Sequence, residues 1–178
     1  ITDAVKAFVA AGRPVLGVCN GFQILVRAGL LPGAGMTATL APNERRTFDC
    51  RWVHLSAPAS RCVWTEGVWE PMFVPIAHGE GRFLCDESTL RSLQSNGRIA
   101  LRYSDAGGAP AAGQWPANPN GAMDDVAGIC DETGLVLGLM PHPEDHVLIR
   151  QHPRRSRGET SGSALPLFLA GIRRAAQC

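Results

Sequence analysis

Apolar positions recur at helical spacing from the start of the chain. Val5, Phe8 and Val9 share one face and Gly12 closes the run, which predicts a helix over 2–11. Residues 14–19 follow as an unbroken apolar strand. Phe22, Leu25 and Val26 then return to helical spacing over 20–30, ended by Leu31-Pro32-Gly33. This helix–strand–helix rhythm is that of a parallel sheet covered by helices. In such a sheet the first helix follows a strand, so the pattern predicts a further piece ahead of Ile1. Beyond residue 33 the periods shorten. Stretches 36–40, 49–56, 62–64, 72–77 and 82–84 read as short strands punctuated by Pro, Asn and Gly, the spacing of an antiparallel meander. Leu90 and Leu93 mark a helix over 87–95, and 98–103 a strand. Residues 105–121 form a long Gly-, Pro- and Ala-rich loop of the kind that often carries function. Strands 126–130 and 136–140 pair around a turn at 131–134. After a basic stretch, 150–162, the residues Leu165, Phe168, Leu169 and Ile172 predict the inward face of a last helix, capped by Ser163 with Pro166 in its first turn.

The sum is an α/β fold: a mostly parallel central sheet flanked by helices, with a small antiparallel excursion. At 178 residues it reads as one domain with ample core. Composition is that of an ordinary globular protein, with 45% hydrophobic and 19% charged residues. A formal net charge of +1 supplies no global field for nucleic acid or an anionic membrane. No apolar run reaches membrane-spanning length and no signal peptide is visible. The six cysteines are scattered, without C-x-x-C pairs or zinc spacing, which points to a reduced, cytoplasmic compartment with most of them as small core residues.

Chemistry concentrates at two places. The first is Gly17-Val18-Cys19-Asn20-Gly21, where an apolar strand turns into a helix. A residue on so tight a bend is pushed out of the sheet, and the glycines two positions to either side fit a nucleophile elbow. The helix N-terminus there should favour the thiolate of Cys19. The other reading is a buried strand cysteine beside two turn glycines. The second place is Pro141-His142-Pro143-Glu144, at the C-terminal end of strand 136–140, where catalytic groups gather in parallel sheets. Two residues apart in an extended chain, His142 and Glu144 point the same way, about 6.5–7 Å apart at Cα, so the carboxylate can fix the imidazole tautomer. A thiol, a base and its orienter make a complete triad. His78-Gly79-Glu80-Gly81-Arg82 has no third ligand for a metal, and reads as a glycine-flanked loop near the site or a partner surface, or as a structural turn.

These motifs together resemble the class I, triad-type glutamine amidotransferases. Residues 43–53, Pro75 to Arg82, Asn118-Pro119-Asn120-Gly121 and 126–130 are similar to the small glutaminase subunits of phosphoribosylformylglycinamidine synthases, enzymes of purine biosynthesis. The resemblance runs to about Val147. It implies a flavodoxin-like sheet and an enzyme that hydrolyses glutamine. In it Cys19 forms a glutamyl thioester, His142 protonates the leaving ammonia and then activates water, and Glu144 orients His142. The backbone N–H of Asn20 serves the oxyanion, a donor worth about 3 kcal/mol of barrier. Gln23 matches the position that helps hold substrate glutamine, and Asn120-Gly121, at the end of the long loop, reads either as presenting backbone groups to the glutamine carboxylate or as a simple turn. Ammonia would pass to a large synthetase subunit, with or without a small third subunit. ATP and magnesium belong to that partner, and no cofactor or metal to this chain. The family's other oxyanion donor comes from a glycine-rich loop ahead of the first helix, so the domain over 1–178 reads as lacking its N-terminal strands and oxyanion loop. Two arginines in 43–47 stand where the family more often has a small acidic-Ser-Gly turn, and the Arg-rich stretch 150–162 extends past the usual ending. Two other readings fit part of the pattern: a glutaminase serving a different synthetase, and a non-catalytic subunit that binds a large partner.

Overall fold

The computed structural model describes residues 2–177; Ile1 and Cys178 lie outside the described residues. In chain order the elements are α1 (Thr2–Ala10), β1 (Val15–Val18), α2 (Asn20–Arg27), β2 (Ala38–Pro42), β3 (Asp49–Ser56), β4 (Met72–His78), β5 (Glu80–Cys85), α3 (Glu87–Ser95), β6 (Ile99–Ser104), β7 (Val126–Cys130), β8 (Val136–Leu139) and α4 (Leu165–Ala175). Six strands form one sheet in the order β1-β8-β7-β6-β3-β4, while β2 and β5 pair antiparallel as a separate ribbon. That ribbon is the expected antiparallel excursion, and the α/β class holds.

The direction of pairing differs from expectation in one respect. Only β1 and β8 run parallel; the β3–β4, β3–β6, β6–β7 and β7–β8 pairings are antiparallel. For β7 and β8 the reason is the length of the connection. Parallel neighbours need a crossover of a dozen or more residues, usually through a helix, and the turn between β7 and β8 is far shorter than that. Asp131 builds this turn, its carboxylate accepting the backbone N–H groups of Thr133 (3.2 Å) and Val136 (2.9 Å). The stretch 62–64, expected as a strand, is a 3-10 turn over Val63–Thr65.

The parallel pair positions the site. Gly17 of β1 lies directly opposite Gly138 of β8. A Cβ on Gly17 would stand 2.8 Å from the backbone carbon of Gly21 and collide with Leu25; one on Gly138 would run into the ring of Phe22. The two glycines form a notch across both strands, and α2 settles into it with Phe22 and Leu25 buried. Gly21, by contrast, has open space where its Cβ would be. The sharp bend therefore needs smallness at Gly17, and the second glycine of the elbow is not crowded. Filling the notch overpacks a rigid aromatic core: Gly138→Ala is expected to cost about 3 kcal/mol, read as a lower urea midpoint with an unchanged slope.

The last helix turns a different face inward from the one its Leu/Ile spacing suggests. Leu167, Ala170 and Gly171 are buried, whereas Leu165, Leu169 and Ile172 are exposed. Trp64 explains the choice. Its indole donates to the Leu135 carbonyl (2.9 Å) and lies so close to the helix that any Cβ on Gly171 would strike its ring. A large flat side chain packs best on the smallest residues, and that contact outweighs the apolar stripe. Ser163 does accept the Leu165 N–H (3.2 Å), but the capping position itself is Ala164.

Candidate active site

Cys19 stands at the end of β1 with φ 50° and ψ −107°, a left-handed conformation that a side-chain-bearing residue seldom adopts. Both sides of the bend are fixed. Its N–H donates to the Leu139 carbonyl (2.8 Å), the last rung shared with β8, and its own carbonyl accepts from Gln23 N (3.2 Å) in the first turn of α2. The side chain is half-exposed, so the thiol is neither sealed in the core nor free in solvent.

His142 lies just past the end of β8, the strand beside β1. Its N–H donates to the Pro75 carbonyl (2.8 Å), and Met140 N to that of Ala127 (3.0 Å), which tie the segment to β4 and β7. Pro143–His146 is a 3-10 turn that His142 precedes, so the imidazole and Glu144 meet through a tight turn and not along an extended chain. His142 Nδ1 and Glu144 Oε1 are 2.7 Å apart. A carboxylate can only accept, so Nδ1 carries the proton and Nε2 keeps its lone pair. Nε2 is buried and has no hydrogen-bond partner among the described residues. Asp145 completes a trio of potential ligand atoms within 4.8 Å of one another, two members of which, His142 and Glu144, are already bonded to each other.

Electrostatics around Cys19 reverse one expectation. Its pKa is raised, not lowered: burial is the largest cause, the Asn20 backbone N–H pulls the other way, and the nearby Glu144 charge adds to the rise. The helix N-terminus is present but burial outweighs it. The thiol thus stays protonated near neutrality and needs a base, for which the orphaned Nε2 of His142, just past the neighbouring strand, is the candidate. Of the groups that act on the sulfur, the Asn20 N–H is the candidate oxyanion donor.

The other expected residues fall around this centre in different roles. Gln23 spends its amide nitrogen on the Glu80 carbonyl (2.8 Å), leaving Oε1 without a partner among the described residues. Asn120 is fully buried; its amide donates to the Gly81 carbonyl (2.8 Å) and to the Tyr103 hydroxyl (3.1 Å), and its oxygen accepts from Ala122 N. The Asn120 carbonyl is taken by Glu44 N (3.0 Å) and the Gly121 N–H by Asn118 (3.0 Å). These backbone groups, expected to face a substrate carboxylate, are engaged within the protein and brace the long loop instead.

His78 ends β4, three residues past the Pro75 carbonyl that holds His142, and is buried. Burial lowers its pKa to about 4, and the charges of Asp49 and His142 also reach it, so it is neutral near pH 7. Its ring lies flat on β5, where only a glycine at 81 leaves room. Nδ1 meets Asn43 Oδ1 (3.0 Å), while the amide of Asn43 donates to the carbonyls of His78 (2.8 Å) and Thr47 (2.9 Å). Asn43 and Tyr103 are the residues that sequence reasoning did not single out. Tyr103 is fully buried; burial raises the pKa of its hydroxyl, the Asn120 hydrogen bond opposes this, and the Cys19 charge adds to the rise. Neither carries a periodic or motif signal; both are chosen by contacts between distant loops.

A strained cysteine on a strand-to-helix elbow, with a histidine–carboxylate pair just past the end of the adjacent strand, is the arrangement of a triad-type glutamine amidotransferase domain. Comparison agrees: the model of the CobB/CobQ-like glutamine amidotransferase domain matches residues 1–173. Among curated relatives, the phosphoribosylformylglycinamidine synthase subunit PurQ of Treponema denticola is 44% identical over 96% of this chain and 70% of its own length. That of Methanococcus maripaludis is 42% identical over 94% of this chain and 64% of its own. The structure of PurLQS from Thermotoga maritima aligns with a TM-score of 0.72 at 27% identity, covering 97% of this chain and 67% of that one. The chain belongs to the PurQ family of glutamine amidotransferases, and spans about two thirds of the length of these relatives.

Proposed function

We propose that this chain is the glutamine-hydrolysing component of a phosphoribosylformylglycinamidine synthase, working beside a PurL-type synthetase. The observation that carries the reading is the 2.7 Å His142–Glu144 bond with Nε2 left open, just past the strand next to the Cys19 elbow. Cys19 Sγ attacks the side-chain amide carbon of glutamine as Nε2 of His142 takes its proton. The oxyanion that forms meets the Asn20 N–H. His142 returns the proton to the departing nitrogen, releasing ammonia and leaving a thioester. Water, deprotonated by His142, attacks that thioester, and the thiol regains its proton as glutamate leaves. Gln23, through its open Oε1, is placed to accept from the substrate's ammonium, while Asn120 and Gly121 act through the loop they hold.

The ammonia goes to the synthetase, where ATP and magnesium activate the amide of phosphoribosylformylglycinamide; this chain contributes no residue to that step. A third component, as in the Thermotoga assembly, fits the same arrangement. Among the described residues no helix is long and apolar enough to cross a membrane, and the scattered free cysteines accord with a reducing cytoplasm. A diazo-ketone analogue of glutamine tests the reading. It should alkylate Cys19 and no other cysteine, with glutamine protecting, as read by peptide mass spectrometry of the full-length natural chain. Labelling that glutamine does not slow would overturn it.

A further inference from the structure

The outer face of the loop that closes over His78 carries an unusual side-chain stack. Trp115, from the long loop 105–121, lies between two guanidinium groups: Arg45 is 4.8 Å from its ring centroid and Arg51 4.9 Å. Trp115 remains 51% exposed and the neighbouring Phe48 68%. Arg51 is paired with Asp49 (2.7 Å), but Arg45 and Arg46 have no carboxylate partner among the described residues. Cation–π stacking uses the flat faces of Arg45 and Arg51 and holds the indole still. Arg51 spends its Nε on Asp49, so Arg45 is the guanidinium of the stack left to grip a partner's carboxylate. Ordered, exposed Trp and Arg with unspent charge are the composition of an interface hot spot, not of a solvated rim.

The inner face of the same loop is sewn to the end of β4. Asn43 N donates to the Gly79 carbonyl (2.8 Å) and Glu44 N to that of Asn120 (3.0 Å), and the Asn43 side chain holds both His78 and Thr47. His78 in turn lies within electrostatic reach of His142. The stack's loop is thus anchored at the end of β4, the strand whose Pro75 carbonyl also holds His142, so a subunit covering the stack lies on the same side of the molecule as the centre that would release ammonia.

We propose that Arg45, Trp115 and Arg51, with Phe48 beside them, form the docking surface for the ammonia-consuming synthetase, which meets them with acidic side chains. This rests on the function proposed above. Ammonia that is captured before it is protonated or diffuses away requires the consuming subunit to lie on that side, and this cationic–aromatic patch is where that side offers it a grip. Docking would also press on the segment 43–47 and, through Asn43, steady His78.

The test measures binding of the full-length natural chain to its purified synthetase. Trp115→Ala and Arg45→Glu should each weaken the complex at least tenfold, roughly the effect of losing a hot-spot residue, and Arg45→Glu should flatten the salt dependence of association. Trp69→Ala, a still more exposed tryptophan elsewhere, should change affinity less than twofold. Labelling of Cys19 in the free variants should match the parent, showing an intact fold. A complex that forms equally well with Trp115→Ala and Arg45→Glu overturns the docking surface and leaves the proposed function standing. So does a result in which the substitutions alter only self-association of the chain, or only its binding of inorganic phosphate. A parent chain that forms no complex overturns both.

Discussion

Cys19→Ala is expected to abolish amidine synthesis driven by glutamine while leaving synthesis driven by added ammonium salts within about twofold of the parent complex. The thiol is the sole nucleophile in the mechanism, and removing a nucleophile that acts together with its base leaves only residual binding and oxyanion effects, a loss of about three orders of magnitude or more in kcat. The substitution should spare the fold. It deletes one half-exposed sulfur and adds no atoms, although alanine inherits the φ of 50°. The notch of Gly17 and Gly138 and the hydrogen bonds to Leu139 and Gln23 that impose the bend all involve other atoms. Binding to the synthetase should persist, because the docking stack lies on the loops at 45–51 and 115. Steady-state assays of the reconstituted complex with each nitrogen source separate the outcomes. Equal loss of both activities would mean that one site both makes and uses ammonia, contrary to a division between two chains.

The chemistry was more legible in the sequence than the architecture, and the reason is locality. The elbow and the His-x-Glu pair each lie within five residues, so turn rules and residue type suffice to read them. Even there the mechanism of placement differed: Glu144 reaches His142 through a 3-10 turn, with Pro143 at its start, where an extended chain was expected. Strand direction was not local. The apolar runs at 98–103, 126–130 and 136–140 look alike whether their neighbours run parallel or not; the short turn at 131–134 settles β7 against β8, but β6 and β7 run antiparallel across a loop long enough for a crossover. The inward face of α4 depended on a tryptophan about a hundred residues away that prefers Ala170 and Gly171 to leucine. The lock of Asn43 on His78 joins two irregular segments 35 residues apart, and no spacing along the chain announces it. The acidity of Cys19 was misjudged for a related reason. The helix N-terminus is visible in the sequence, but the degree of burial that overrides it is a property of the assembled site.

Glu144→Gln should produce two effects of opposite sign. The carboxylate fixes the His142 tautomer through the 2.7 Å bond to Nδ1. An amide can present its N–H₂ to that nitrogen and favour the wrong tautomer, with the proton on Nε2 and no lone pair for the thiol. Loss of kcat of about 10²- to 10⁴-fold follows, with KM for glutamine little changed, since Glu144 orients the base and touches no substrate atom in the proposed mechanism. The thiol itself should respond the other way. Glu144's negative charge is one of the causes that raise the Cys19 pKa, so removing it lets the thiolate form at lower pH. Alkylation of Cys19 by a neutral reagent such as iodoacetamide, which needs the thiolate but not glutamine turnover, should then have its midpoint shifted to lower pH and run faster than in the parent at any pH below that midpoint. A carboxylate that merely braced the 3-10 turn would slow turnover without moving the alkylation profile, and Glu144→Asp, which keeps the charge nearby, should leave the profile close to the parent's. An alkylation midpoint unchanged or raised in Glu144→Gln would contradict the charge coupling between this carboxylate and the thiol, and with it the placement of Glu144 as the third member of the triad.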